Sequence, residues 1–192
     1  MKLTHDHYML CNDYIDEVIR NPYDFSEEEI FFLGYFFKPM RKIIFDSLLM
    51  KCAKQGNTQD FIDSLTIEGI YAEYINDVKN SSNKFMKLIV AMFLETELLG
   101  EWFENEDEML EAVIKSDAKL NTKLFAFSKL SVFNVEDETI EKMKEYAEKE
   151  IDKDEEFTKN FNKEEKEKLK KDCISNYDSN HDALKMELSL KE

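Results

Sequence analysis

Glycine and proline are nearly absent: the chain has 4 and 2 of them in 192 residues. Sheet proteins consume these residues in tight turns, so a chain this poor in them is built from long elements joined by few sharp connections. Apolar residues make up 43% of the sequence and aromatic residues 12%, enough for a packed core. The expected fold is all-α, a multi-helix, bundle-like core, on a chain long enough for one core or one core with an appendage.

Apolar spacing locates the helices. Tyr8, Ile15, Val18 and Ile19 share a face before Asn21 and Pro22. Ser26 followed by Glu27, Glu28 and Glu29 starts a helix with a capping box. The run Ile30 to Phe37 is almost all apolar and predicts a helix buried on several sides. Pro39 restarts or kinks it, and Met40, Ile43, Ile44 and Leu48 continue to Gly56. Thr58 and Thr66 are candidate caps, the second opening a helix through Ile67, Ile70, Tyr71, Tyr74, Ile75 and Val78. Phe85, Leu88, Ile89, Met92, Phe93 and Leu99 predict another helix ending at Gly100. Asn105 is placed to cap a helix carrying Met109, Leu110, Val113 and Ile114. Residues 121–135 fit a helix imperfectly, and Val132 to Val135 would also allow a short strand; helix is favoured.

Composition shifts near residue 134, after which 31 of 59 residues are Asp, Glu or Lys. The expected division is a core over 1–133 and charged amphipathic helices over 134–192, packed on the core or extending from it. Asp137 caps a helix bearing Ile140, Met143, Ala147 and Ile151. Phe157 and Phe161 form an i,i+4 pair, Asn162 with Glu165 starts a last helix through Leu169, Cys173, Ile174 and Tyr177, and Leu184, Leu188 and Leu190 close the chain. Such narrow apolar stripes suit outer helices or self-association.

Charge excludes some partners. Forty-two acidic residues face 26 basic ones, a formal net charge of −16. Direct binding of DNA or RNA is disfavoured and a basic protein surface is favoured. Only Arg20 and Arg41 are arginines, which removes most of the bidentate chemistry of phosphate and base-edge recognition. The lysine bias equally fits AT-rich coding, as in a low-GC bacterium or a phage.

Cys11, Cys52 and Cys173 are far apart and include no CxxC, which predicts free thiols in a reducing compartment. The first residues carry charge and histidine where a secretory leader is apolar, and the longest apolar run, Leu88 to Leu94, is far too short for a membrane span. A soluble, cytoplasmic chain is expected, with no membrane partner.

Catalytic and metal motifs are missing from the sequence. His5 and His7 form a His-x-His pair, but His181 is the one further histidine and no Glu-x-x-His pair accompanies them. Asp178 to Asp182 opens like a calcium loop, but Ala183 replaces its glycine and Ser189 its bidentate Glu. No G-x-S-x-G and no Gly-rich phosphate loop occurs. Cys11 near His5 and His7 does not define a dyad on a helix. The five lysines between Lys163 and Lys171 alternate with Glu164, Glu165 and Glu167, a solvated ion-paired face. The apolar stripe over 85–103 could line a small-molecule pocket, but its spacing suits core packing. The expectation is no cofactor, no metal and no catalytic residue.

The densest acidic stretch is Glu101, Glu104, Glu106, Asp107, Glu108 and Glu111, uninterrupted by a base and containing Trp102 and Phe103. A row of carboxylates can imitate phosphate spacing and enter a basic groove, with Trp102 as anchor. The ordinary reading of the same residues is an acidic helix start. Glu136, Asp137 and Glu138 form a second such patch. The expected function is a non-catalytic acidic interaction protein, a stoichiometric inhibitor or an immunity or anti-defence protein binding a basic nucleic-acid-handling protein. The partner-binding residues expected are Glu101, Trp102, Glu104, Glu106, Asp107, Glu108 and Glu111. The rivals are a homo-oligomeric helical scaffold and a helical enzyme or ligand sensor.

Overall fold

A computed structural model describes the backbone of residues 5–154, 159 and 161–189, and the side chains of that set from residue 12 onward. Eleven α-helices and no strand lie among the described residues, so the fold is all-α. They are α1 (His5–Arg20), α2 (Glu27–Phe36), α3 (Arg41–Gln55), α4 (Thr58–Ile67), α5 (Tyr71–Lys79), α6 (Lys84–Phe93), α7 (Leu98–Trp102), α8 (Glu106–Ile114), α9 (Leu120–Leu130), α10 (Asp137–Lys153) and α11 (Lys163–Ser189). The chain divides into two compact units, 1–96 and 97–192. The composition shift near residue 134 lies inside the second, between α9 and α10. Among the described residues no helix is long and apolar enough to cross a membrane.

Unit 1 is built around α3. Ser26 and Glu29 close the capping box that begins α2, with Glu29 N–H on Ser26 Oγ at 3.2 Å and Ser26 N–H on Glu29 Oε2 at 2.8 Å. A 3₁₀ turn over Lys38–Met40 carries Pro39 and redirects the chain into α3. At Gly34 the two helices approach so closely that a Cβ would overlap the Phe45 ring. Phe45, Phe61 and Tyr74 meet edge to face with centroids 5.7–6.2 Å apart, and Phe31 stacks on Phe45 at 5.6 Å.

Arg41 is buried on this framework. Its guanidinium donates to Gly34 O (3.3 Å), Tyr35 O (3.2 Å) and Glu73 Oε2 (2.7 Å), tying the end of α2 to α5. Buried Lys51 donates to Phe25 O. Asp46 accepts from Tyr74 Oη (2.9 Å) and pairs with Lys42, yet burial raises its carboxyl above the ordinary range.

Three local expectations change in unit 1 and at its end. The helix expected from Thr66 through Val78 is two helices, because Gly69 turns left-handed at φ +67° between α4 and α5. Ile67 is consequently exposed. Helix α6 stops at Phe93, and Gly100 lies within α7 rather than capping a long helix. Along α2 only Ile30 and Gly34 are buried, while Phe32 and Phe36 are 56% and 71% exposed. The all-apolar run therefore leaves one aromatic face outside.

Unit 2 comprises α7 to α11. Residues 121–135 form most of α9 and a following turn, with Leu124, Ala126, Phe127 and Leu130 buried. Helix α10 buries Ile140, Met143, Ala147 and Ile151, the expected stripe. Asn162 and Glu165 form the expected reciprocal cap of α11 (2.7 and 3.0 Å). Tyr177 is buried, and Asn180 Nδ2 reaches Ser128 O (3.1 Å) and Ser131 Oγ (3.0 Å) of the α9 end. The side chains of His5, His7 and Cys11, and residues Phe157 and Leu190, lie outside the described set.

Candidate partner-binding site

The acidic stretch begins on α7 and runs into α8. Asn105 caps α8 by accepting Glu108 N–H at 3.0 Å, as the sequence predicts. The Glu108 carboxylate reaches back to Glu104 N–H at 3.0 Å, so this acid stabilises its own helix start. Glu106 has a longer reach. Its carboxylate accepts Glu136 N–H at 2.9 and 3.1 Å and the Thr139 hydroxyl. The Glu136 amide at the start of α10 is answered by α8, and Asp137 is not the cap: it is the first residue of the helix, with Glu136 at the N-cap.

Lysines answer the next two acids. Lys142 of α10 lies 2.7 Å from Asp107 and 3.0 Å from Glu138, which hold its ammonium above the ordinary lysine value. Lys115 lies 2.7 Å from Glu111 one turn away. The shallow groove between α8 and α10 is lined by Asp107, Glu111, Lys142 and Lys149 together, a surface of mixed sign. Asp137, in the second patch, binds Lys185 and His181 Nε2 (2.8 Å) of α11, which keep its carboxyl below the usual range.

Of the seven residues expected to bind a partner, Glu106, Asp107, Glu108 and Glu111 thus have work inside unit 2. Glu101 and Glu104 are exposed, with no cation on either among the described residues. Trp102, between them, is half-buried, and its indole Nε1 is buried with no acceptor among the described residues. Phe103 is buried in the core.

A second surface lies in unit 1, where α2, α3 and α4 enclose a groove of about 520 Å³. Phe31, Phe32, Leu48, Cys52 and Phe61 form its apolar part, and Glu27, Glu28 and Asp60 its charged part, with Ser64. Among the described residues none of the lining is basic. The acids come from the first turns of α2 and α4, where helix dipoles favour them. In the sequence Glu27 and Glu28 belong to a capped helix start, and the apolar floor comes from three separate helices, so no local motif marks the groove.

A third hollow, of about 630 Å³, lies between α9 and α11 and includes Leu124, Phe125, Phe161, Cys173 and Tyr177. The stripe over 85–103 supplies buried core instead, with Phe85, Met86, Leu88 and Ile89 all enclosed.

Neither described thiol is set up for attack. Burial pushes Cys52 up to about 12, and it also raises Cys173. Among the described residues no group of three His, Cys, Asp or Glu side chains is arranged to hold a metal ion. No family model, no curated protein and no solved structure matches this chain.

Proposed function

We propose that this chain is a non-catalytic acidic interaction protein, a stoichiometric inhibitor of the immunity or anti-defence type that covers the basic surface of a nucleic-acid-handling protein. The observation that carries this reading is the pair Glu101 and Glu104 on either side of Trp102, both exposed and without a cation among the described residues. Long-range attraction between an excess of carboxylates and a basic partner accelerates encounter. An aromatic residue beside unscreened carboxylates then supplies the desolvated anchor that interfaces concentrate their affinity in.

The test is capture on the immobilised chain at low and high salt. The expected partner is basic, weakens as salt rises, and is lost from the double charge reversal Glu101→Lys, Glu104→Lys. A retained partner that is neutral or acidic, bound with salt-insensitive affinity, sinks the reading.

One observation favours a second reading, self-association. Met186 and Leu188 are exposed near the end of α11. Light scattering that finds a monomer at all concentrations removes it.

A further inference from the structure

We infer that the groove between α2, α3 and α4 anchors that basic partner, and that it takes a lysine- or arginine-bearing segment with an apolar residue next to the cation. This rests on the reading of the chain as a binder of basic proteins and adds to it a place and a chemistry.

The floor is closely packed. Phe61 and Cys52 are almost fully buried, and Phe61 is locked edge to face against Phe45 and Tyr74. Phe32, 56% exposed, stands at the side of the groove and stacks on Phe36 at 6.4 Å. Such a face attracts both an apolar side chain and a cation over its ring.

The charged side is one-signed. Glu27 accepts from Asn57 Nδ2 at 2.6 Å, whereas Glu28 and Asp60 are exposed and have no cation among the described residues. Two helix starts contribute about half a positive charge each, so the three carboxylates still leave a net negative groove. That charge is felt at the floor: after burial, Glu27 is the next cause raising the Cys52 thiol. Lys51, the nearest buried ammonium, is turned to Phe25 O and is not in the lining. An anionic or purely polar segment meets repulsion or an unfilled apolar floor. A cation with an apolar neighbour satisfies both halves.

The probe is a short fluorescein-labelled peptide with Lys and Leu at helical spacing, titrated against the full chain at low salt by anisotropy. Two peptides serve as controls, one with Glu for Lys and one with Ser for Leu. The Lys–Leu peptide should bind saturably and neither control should. Glu28→Gln with Asp60→Asn, and separately Phe32→Ser, should each weaken it by about fivefold or more, about 1 kcal/mol. These side chains are exposed, so circular dichroism should stay that of the parent, with the melting temperature lowered only slightly by the lost first-turn charges.

Groove variants that bind like the parent overturn the groove while leaving the basic-partner reading intact. A Lys–Ser peptide that binds as well as Lys–Leu also overturns it, because charge alone then suffices. A dimer that dissociates in Phe32→Ser assigns the face to a second copy instead. Failure of the peptide together with every basic protein ends both readings.

Discussion

In unit 1 a guanidinium and an ammonium close the gaps between helices, whereas in unit 2 carboxylates do. Arg41 and Lys51 are buried and answer the carbonyl oxygens of Gly34, Tyr35 and Phe25. Glu106, Asp107, Asp137 and Asp152 answer amides, lysines and a histidine across α8, α10 and α11, mostly in water. Unit 2 has 27 acids against 16 lysines, and unit 1 has 15 against 10 bases. Yet the acids of unit 2 include many with internal partners, while Glu28 and Asp60 of unit 1 have none among the described residues. An excess of charge in a region is therefore a poor guide to how much of it faces a partner.

The largest break in this comparison comes from the aromatic core of unit 1, where Phe31, Phe45, Phe61 and Tyr74 meet. Phe45→Ala should cost about 3–5 kcal/mol in denaturant unfolding, because it empties the centre of three ring contacts. Amide exchange should accelerate in α2 to α5 far more than in α10 and α11. Equal acceleration everywhere would show that both regions unfold as one.

Arg41→Met is the next largest, about 2 kcal/mol, since Gly34 O and Tyr35 O lose a donor at a packed helix end. Arg41→Lys should recover little, because one ammonium cannot reproduce the guanidinium fork. The matching change in unit 2, Glu106→Ala, should cost about 1 kcal/mol, the scale of a lost helix cap. Glu106→Gln keeps an acceptor oxygen and should restore part of the loss. A Glu106→Ala variant as stable as the parent would mean that water replaces the carboxylate and that unit 2 does not depend on it.

Helix positions were legible wherever periodicity and a cap agreed. Ser26 with Glu29, Asn105 ahead of α8 and Asn162 with Glu165 all act as their sequence patterns imply. Legibility failed where the deciding contact is distant in sequence. Glu106 and Thr139 are 33 residues apart, so Asp137 looked like the cap of α10 when the acceptor comes from α8. Gly69 carried no signal separating it from an ordinary helical glycine until its φ of +67° was known. The groove of unit 1 was invisible for the same reason: Phe32, Cys52 and Phe61 share no local pattern. The acidic stretch on α7 and α8 was easy to see, and its partners Lys142, Glu136 and Thr139 were not.

The smallest predicted effect is on the response to acid. Lys185 and His181 lower the Asp137 carboxyl, and Lys170 lowers that of Asp152. A lowered folded value stabilises the fold above the ordinary carboxylate range, and that stability is lost as pH falls through the lowered value. In unit 1 Glu29 behaves likewise through Ser26, but Asp46 has the opposite sign. Its burial-raised value favours folding below the unfolded carboxylate range, and the contribution is lost as pH rises through the raised value. Acidification should therefore weaken unit 2 before unit 1. Fluorescence of Trp102 reports the first and amide protection in α3 and α5 the second. The exposed pairs are each small, so the double variant Asp137→Asn, Asp152→Asn should flatten the unit 2 response only partly. A common acid midpoint for both units, unchanged in that variant, would show that the Asp137 and Asp152 pairs do not set how unit 2 responds to acid.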